Sequence, residues 1–203
     1  MVNPSSFVLY LFINNLNIMK RILLYMTTAL IFTSCGVEQK EITCSDNCIS
    51  FIKNYERCSL TKYKDNYGYS IGYGHLIKKG ESFDRITKEQ ADSLFIVDIN
   101  TYVLPAVRRI VKKLKFEPTP GLIDGLTSLI YNCGEKGLSK TTFYDRLLKS
   151  RATTDNTWRE DDKNFTLAAL KECRIPAKKT GLQEAILNRR NMEKSIINET
   201  FEF

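Results

Sequence analysis

The sequence predicts an α+β fold in which a small antiparallel sheet precedes a larger group of helices. Residues 60–77 are rich in Tyr and Gly and alternate apolar with polar side chains, which is typical of short strands joined by tight turns. From Thr87 onward, apolar residues recur at helical spacing through most of the remaining chain. Because strands and helices occupy separate stretches, we expect two lobes with a cleft between them.

Capping residues mark where the predicted helices begin. Ser45-Asp46 precedes a helical stripe that ends near Glu56, and Thr87 with Gln90 forms a capping-box pair. Thr119-Pro120 predicts the start of a buried central helix that stops at Asn132-Cys133-Gly134, and Pro105 predicts an earlier break. Further amphipathic helices are expected over residues 141–148, 165–171 and 183–198.

Composition and charge narrow the class of protein. The 203 residues are 43% hydrophobic and 26% charged, which excludes a disordered, collagen-like or coiled-coil chain. The net charge of +7 favours polyanionic partners, but no motif supports nucleic-acid binding, and we expect none. With one His and no matched cysteine pairs, the sequence predicts neither a metal site nor another cofactor.

The first 35 residues resemble an export signal. Lys20-Arg21 is followed by an apolar run over residues 22–32, which is short for a membrane span, and then by small residues up to Cys35. The ending at Cys35 resembles a bacterial lipobox, which implies lipidation of that cysteine and attachment to a membrane. We interpret Met19 as the true start and residues 36–44 as a tether. An uncleaved N-terminal anchor is the alternative; either case places the rest of the chain outside the cytoplasm, anchored or secreted.

Two carboxylates are the strongest candidates for chemistry. Glu56 lies at a predicted helix end, and Asp65 follows nine positions later at a predicted turn, with Ser70 on the returning strand. A chain that leaves a helix and enters a hairpin can bring two such acids to opposite walls of one cleft. Glycoside hydrolysis needs one protonated carboxyl as proton donor and one ionised carboxylate. Two acids at this spacing are, taken alone, more often ordinary surface residues.

The residues around this pair resemble the active-site signature of the phage-type lysozymes, glycoside hydrolase family 24. The matching positions are Glu56, Leu60, Tyr63, Asp65, Gly68 and the run Ser70-Ile71-Gly72-Tyr73-Gly74-His75. Blocks at 86–91, 128–134, 141–143 and 188–193 follow in the family's order, so the resemblance covers most of residues 45–198. It implies a lysozyme-like fold, with residues 45–203 as the catalytic domain.

The resemblance also implies a role for each site residue. Glu56 would be the general acid, Asp65 would orient or deprotonate the attacking water, and Ser70, where the family usually has Thr, would hold that water. Tyr73 would contact sugar, with inward packing as its alternative. Asn132 would line the cleft, with helix capping as its alternative. His75 is expected to have a structural role, bonding across to the helical lobe.

The implied activity is hydrolysis of the β-1,4 bond between N-acetylmuramic acid and N-acetylglucosamine in peptidoglycan, by a monomeric glycoside hydrolase. Family members generally invert the anomeric carbon, which requires the two carboxyls to lie about 6.5–9.5 Å apart. A lytic transglycosylase is a rival that Asp65 and Ser70 disfavour, because it needs no residue to position water. A non-catalytic peptidoglycan-binding protein is a second rival, which the retention of Glu56 and Asp65 disfavours.

Overall fold

The structure is a computed structural model that describes residues 41–65, 68–173 and 180–199. The predicted export signal, with Cys35 and the start at Met19, and all but the end of the predicted tether lie outside the described residues. Among the helices of the described ranges, none combines the length and the hydropathy needed to cross a bilayer.

A single helix precedes the sheet, and six helices follow it within the described residues. Helix α1 spans Asp46–Glu56 and leads into an antiparallel sheet of order β1-β2-β3, with strands Ser59–Lys64, Tyr69–Gly72 and His75–Leu76. The later helices are α2 Lys88–Asp98, α3 Leu104–Val111, α4 Pro120–Leu138, α5 Thr142–Lys149, α6 Glu160–Ala168 and α7 Thr180–Ile197. The predicted α+β class is therefore confirmed.

The predicted helix starts carry the expected caps. The Ser45 hydroxyl accepts a hydrogen bond from the Cys48 amide at 3.0 Å and so begins α1. Thr87 and Gln90 exchange both bonds of a capping box at the start of α2. Local side-chain chemistry accounts for these boundaries, which is why they are visible in the sequence.

Two predicted boundaries differ from the structure. The break expected at Pro105 is a π-helical turn over Ile99–Val103, after which α3 begins at Leu104. The helix predicted over residues 165–171 begins earlier, at Glu160, because three acidic side chains in its first turn complement the helix dipole. It ends in a 3-10 turn over Ala169–Glu172.

Helix α4 is the centre of the helical lobe, and α7 packs closely against it. Leu122, Leu126 and Leu129 are fully buried in α4. At Gly125 a Cβ atom would lie only 2.3 Å from Cγ1 of Ile197, so the absent side chain allows α7 to approach. The helix is interrupted at Gly134, where φ is 70° and ψ is 159°. The helix end predicted at Asn132-Cys133-Gly134 is thus a break at Gly134, after which helical structure resumes to Leu138.

The sheet is tied to the helical lobe by buried polar contacts. His75 Nδ1 lies 2.8 Å from a carboxylate oxygen of Asp98 on α2, and its Nε2 lies 3.1 Å from Glu81. The Tyr131 hydroxyl of α4 donates to the backbone oxygen of Tyr73 at 2.9 Å. His75 therefore bonds across to the helical lobe, as a structural role requires.

Candidate active site

Glu56 is the last residue of α1 and stands where the chain turns toward the sheet. Its side chain is 21% exposed, so it is neither fully solvated nor sealed in the core. Arg57 follows with a φ of 52°, a left-handed conformation in which glycine is usual. Arg57 therefore adopts a strained backbone conformation at the end of α1.

Asp65 and Ser70 are brought together across the β1–β2 turn. The Ser70 hydroxyl donates to Asp65 Oδ2 at 2.5 Å, and the Gly68 amide donates to Oδ1 at 3.1 Å. Ser70 is buried, whereas Asp65 is exposed. Donors on both oxygens fix the direction of the carboxylate and favour its ionised form.

Arg189 of α7 is a site residue for which the sequence predicted no role. Its Nη1 donates to Glu56 Oε1 at 2.5 Å, across 133 positions of chain. Burial by itself lowers the pKa of Arg189, but the charges of Glu56 and Glu193 outweigh burial and raise that pKa. The guanidinium therefore stays charged beside Glu56. Its only signal in the sequence was the block at 188–193, which matched the family by order.

The phenols of two tyrosines respond to the charge of the candidate carboxylates. Burial, followed by the charges of Asp65 and Glu56, raises the pKa of Tyr63, which is 40% exposed. Burial, followed by the charge of Glu56, also raises the pKa of Tyr131. The charges of Glu56 and Asp65 therefore both act on the Tyr63 phenol and favour its neutral form.

Tyr73 and Asn132 are both engaged by neighbouring protein groups. Tyr73 is 5% exposed; its ring lies 5.3 Å from that of Phe95, and its hydroxyl donates to Asp92 at 2.9 Å. The side-chain oxygen of Asn132 accepts a hydrogen bond from Arg190 Nη2 at 2.5 Å, and the residue is partly exposed. Tyr73 therefore packs inward, and a contact of either residue with substrate stays a prediction.

Side chains that commonly bind metal ions do not cluster in the part of the chain that the structure describes. Within it, no group of three or more His, Cys, Asp or Glu side chains is arranged to hold a metal ion. The arrangement instead offers two carboxylates, a guanidinium and phenol groups, which suit proton transfer and the orientation of water.

Comparison with known proteins gives a family match over most of the chain. The family model described as phage lysozyme matches residues 53–193, a range that includes Glu56, Asp65 and Arg189. The endolysin of Lactococcus phage c2 is 38% identical over 94 residues, which are 44% of this chain and 39% of that protein. The endolysin of Bacillus phage PZA is 26% identical over 153 residues, 74% of this chain and 53% of that protein. The chain thus spans about half or less of the length of these relatives.

Solved structures share the fold at low sequence identity. An endolysin from Escherichia coli O157:H7 phage FAHEc1 has a TM-score of 0.61 and 24% identity, covering 81% of this chain and 99% of that one. The muramidase domain of SpmX from Asticaccaulis excentricus has a TM-score of 0.59 and 22% identity, covering 76% and 97%. The lysozyme-like architecture predicted from the sequence is therefore confirmed.

Proposed function

This chain belongs to the phage lysozyme family, and from that premise we propose that it hydrolyses the β-1,4 bond between N-acetylmuramic acid and N-acetylglucosamine in peptidoglycan. The observation that supports the proposal is that each carboxylate is held by its own donors: Arg189 donates to Glu56, and the Ser70 hydroxyl and the Gly68 amide donate to Asp65. Two carboxyls in distinct environments are what glycoside hydrolysis requires.

In the proposed mechanism Glu56 donates a proton to the glycosidic oxygen while Asp65 acts on water. Asp65 is suited to the second role because Ser70 and Gly68 donate to it, which favours the charged form that accepts a proton from water. Attack from the face opposite the leaving group inverts the anomeric carbon. The expected separation of about 6.5–9.5 Å between the carboxyls leaves room for that water.

The test is the release of reducing ends from purified peptidoglycan. We expect wild-type protein to clear the suspension and Glu56→Gln to lose about three orders of magnitude or more in rate, because the amide cannot donate the proton that the leaving oxygen needs. Glu184→Gln, the same chemical change at an exposed position of α7, is the matched control and should match wild type.

The products separate the proposal from its rivals. Equal clearing by Glu56→Gln and wild type would remove Glu56 from the mechanism. An anhydromuramic product would identify a lytic transglycosylase. Sedimentation with peptidoglycan without any new reducing ends would identify a wall-binding protein that lacks catalysis. A newly released sugar in the inverted anomeric form, followed by NMR at early times, supports the role of Asp65.

We further propose that residues 1–35 act as an export signal and that Cys35 carries a lipid anchor. The basic start, the short apolar run and the lipobox-like ending support this proposal. Mass spectrometry of the mature N-terminus tests it: a diacylglycerol-modified Cys35 is expected, and Cys35→Ser should release the protein from membranes. An unmodified mature N-terminus in an active, soluble protein would favour plain secretion. The exported protein is proposed to be a monomer.

A further inference from the structure

The buried carboxylate of Glu193 lies between two arginines, Arg189 and Arg190. Glu193 of α7 is 0% exposed. Its Oε1 accepts hydrogen bonds from Arg189 Nε at 3.1 Å and from the Ser128 hydroxyl at 2.6 Å. Its Oε2 accepts one from Arg190 Nη1. A carboxylate with donors on both oxygens is stable as an ion even in a core.

On each arginine a second nitrogen donates to a residue other than Glu193. Arg189 Nη1 donates to Glu56 at 2.5 Å, and Arg190 Nη2 donates to Asn132 at 2.5 Å. A guanidinium is a rigid planar fork, so holding one edge determines where the other edge points. Glu193 therefore helps to set the direction of the donors that Glu56 and Asn132 receive, although Glu193 itself is buried. Ser128 also accepts from Arg189 Nη2, and the Cys173 carbonyl accepts from Arg190 Nε at 2.8 Å.

The same cluster balances charge around the proton donor. With Glu56 ionised, two arginines face two carboxylates; with Glu56 protonated, the cluster carries one net positive charge. Without Glu193 both arginine charges would act on Glu56 uncompensated, and an opposite charge nearby favours the ionised carboxylate. Among the described residues, the charge of Glu56 also acts on the phenols of Tyr63 and Tyr131, and the ring of Tyr55 lies 5.4 Å from the Arg189 guanidinium.

We propose that Glu193 is a positioning residue for the hydrolysis: it directs Arg189 toward Glu56 and offsets the positive charge that works against a protonated Glu56. This inference rests on the proposed function, in which Glu56 donates the proton. Glu193 acts through Arg189 and through the balance of charge around Glu56, and this role requires no contact between Glu193 and the sugar.

The test is Glu193→Gln, which keeps the shape and one acceptor oxygen but removes the charge. We expect kcat to fall about tenfold or more with KM within about threefold of wild type. The alkaline limb of the kcat/KM profile should move to lower pH by about one unit, because Glu56 loses its proton more easily. Glu184→Gln is the matched control and should leave both unchanged. A wild-type kcat and pH profile, or a rise in KM alone, would overturn the proposal.

A second variant covers the case in which Glu193→Gln does not fold. Ser128→Ala removes one donor to Glu193 and one acceptor of Arg189, while leaving every charge in place. We expect it to lower kcat about fivefold, because Glu193 and Arg189 each lose one of their hydrogen bonds, without moving the alkaline limb. A wild-type kcat in this variant would contradict the positioning role.

A measurement without catalysis keeps this inference separate from the proposed function. The 13C carboxyl resonance of Glu56, assigned by its loss in Glu56→Gln, can be titrated in the full-length wild type and in Glu193→Gln. A lower titration midpoint in Glu193→Gln supports the electrostatic coupling, and an unchanged midpoint refutes it. If wild-type protein releases no reducing ends, the proposed function fails while this comparison still decides the coupling.

Discussion

Replacing Gly125 by Ala should wedge α4 away from α7, although alanine is the better helix former. The added Cβ would lie 2.3 Å from Cγ1 and 2.8 Å from Cδ1 of Ile197. An ordinary contact begins near 3.4 Å, so one of the two helices must move by about 1 Å or Ile197 must leave its rotamer. Ile197 is 1% exposed, so it has no solvent to turn into.

Two opposing terms determine the size of the effect. Alanine in place of glycine in a helix gains about 0.8–1 kcal/mol from backbone entropy. Forcing a methyl group into a packed interior costs about 1–3 kcal/mol, and at such short distances we expect the upper half of that range. The free energy of unfolding should therefore fall by about 1–2 kcal/mol, which lowers Tm by roughly 2–8 °C for a unit of this size.

The assay is thermal and urea unfolding of a double-mutant cycle. Ile197→Ala alone should cost about 2–5 kcal/mol, but it removes both atoms that the new methyl group would strike. In that background Gly125→Ala should become neutral or stabilising, which gives a favourable coupling of about 1–3 kcal/mol. Gly137→Ala is the control in the same helix: its Cβ meets Cys133 at 3.4 Å, and Tm should rise by about 1–4 °C.

Two outcomes would contradict a clash between the methyl group of Gly125→Ala and the Ile197 side chain. Gly125→Ala with wild-type stability would show that α7 does not approach α4 as closely as the structure has it. An equal cost with and without the Ile197 side chain would place the clash elsewhere. Because α7 also carries Arg189, hydrolysis by folded Gly125→Ala protein should be slower than by Gly137→Ala, measured as reducing ends per unit of folded protein.

Three further predictions concern single residues. Ser70→Ala should lower kcat about tenfold by freeing Asp65, whereas Ser70→Thr keeps the donor and should retain activity; equal rates in both would remove Ser70 from the mechanism. Arg57→Gly should raise the free energy of unfolding by about 0.5–1 kcal/mol, because glycine adopts a φ of 52° without strain; a lower Tm would contradict this. The Arg151 guanidinium and amide hold the pKa of Asp162 at about 2, below its ordinary 3.8. The Arg151–Asp162 pair therefore contributes fully to the free energy of unfolding above pH 3.8, and its contribution decreases as the pH falls toward 2. Asp162→Asn should thus be less stable at pH 7 and equal to wild type near pH 2 in chemical denaturation; a gap that persists near pH 2 would contradict this.

Much of the fold was predictable because its signals are local. The Ser45 and Thr87 caps and the break at Gly134 depend on residues within a few positions of one another. The pairing of Asp65 with Ser70 across one turn is equally local. The π-helical turn before α3 was not predicted, because proline indicates a break in the helix but not the form that the break takes.

The candidate site was only partly predictable. Glu56 and Asp65 follow from a short motif, but Arg189 lies 133 positions beyond the carboxylate it contacts. An Arg-Arg pair followed by a Glu has the appearance of a solvated helix face, and buried charge is the exception in proteins. Nothing near Arg189 and Arg190 in the chain indicates that both enter the core around Glu193.

The sequence by itself indicated the family and the fold class and nominated the two carboxylates, because capping residues, helical periodicity and a short motif carry these signals. Only the tertiary structure decided which cation stands beside Glu56, what holds that cation, and that Tyr73 packs inward. The physical reason is packing. The approach of α7 to α4 at Gly125 brings charges from distant parts of the chain together, and burial strengthens their pairing.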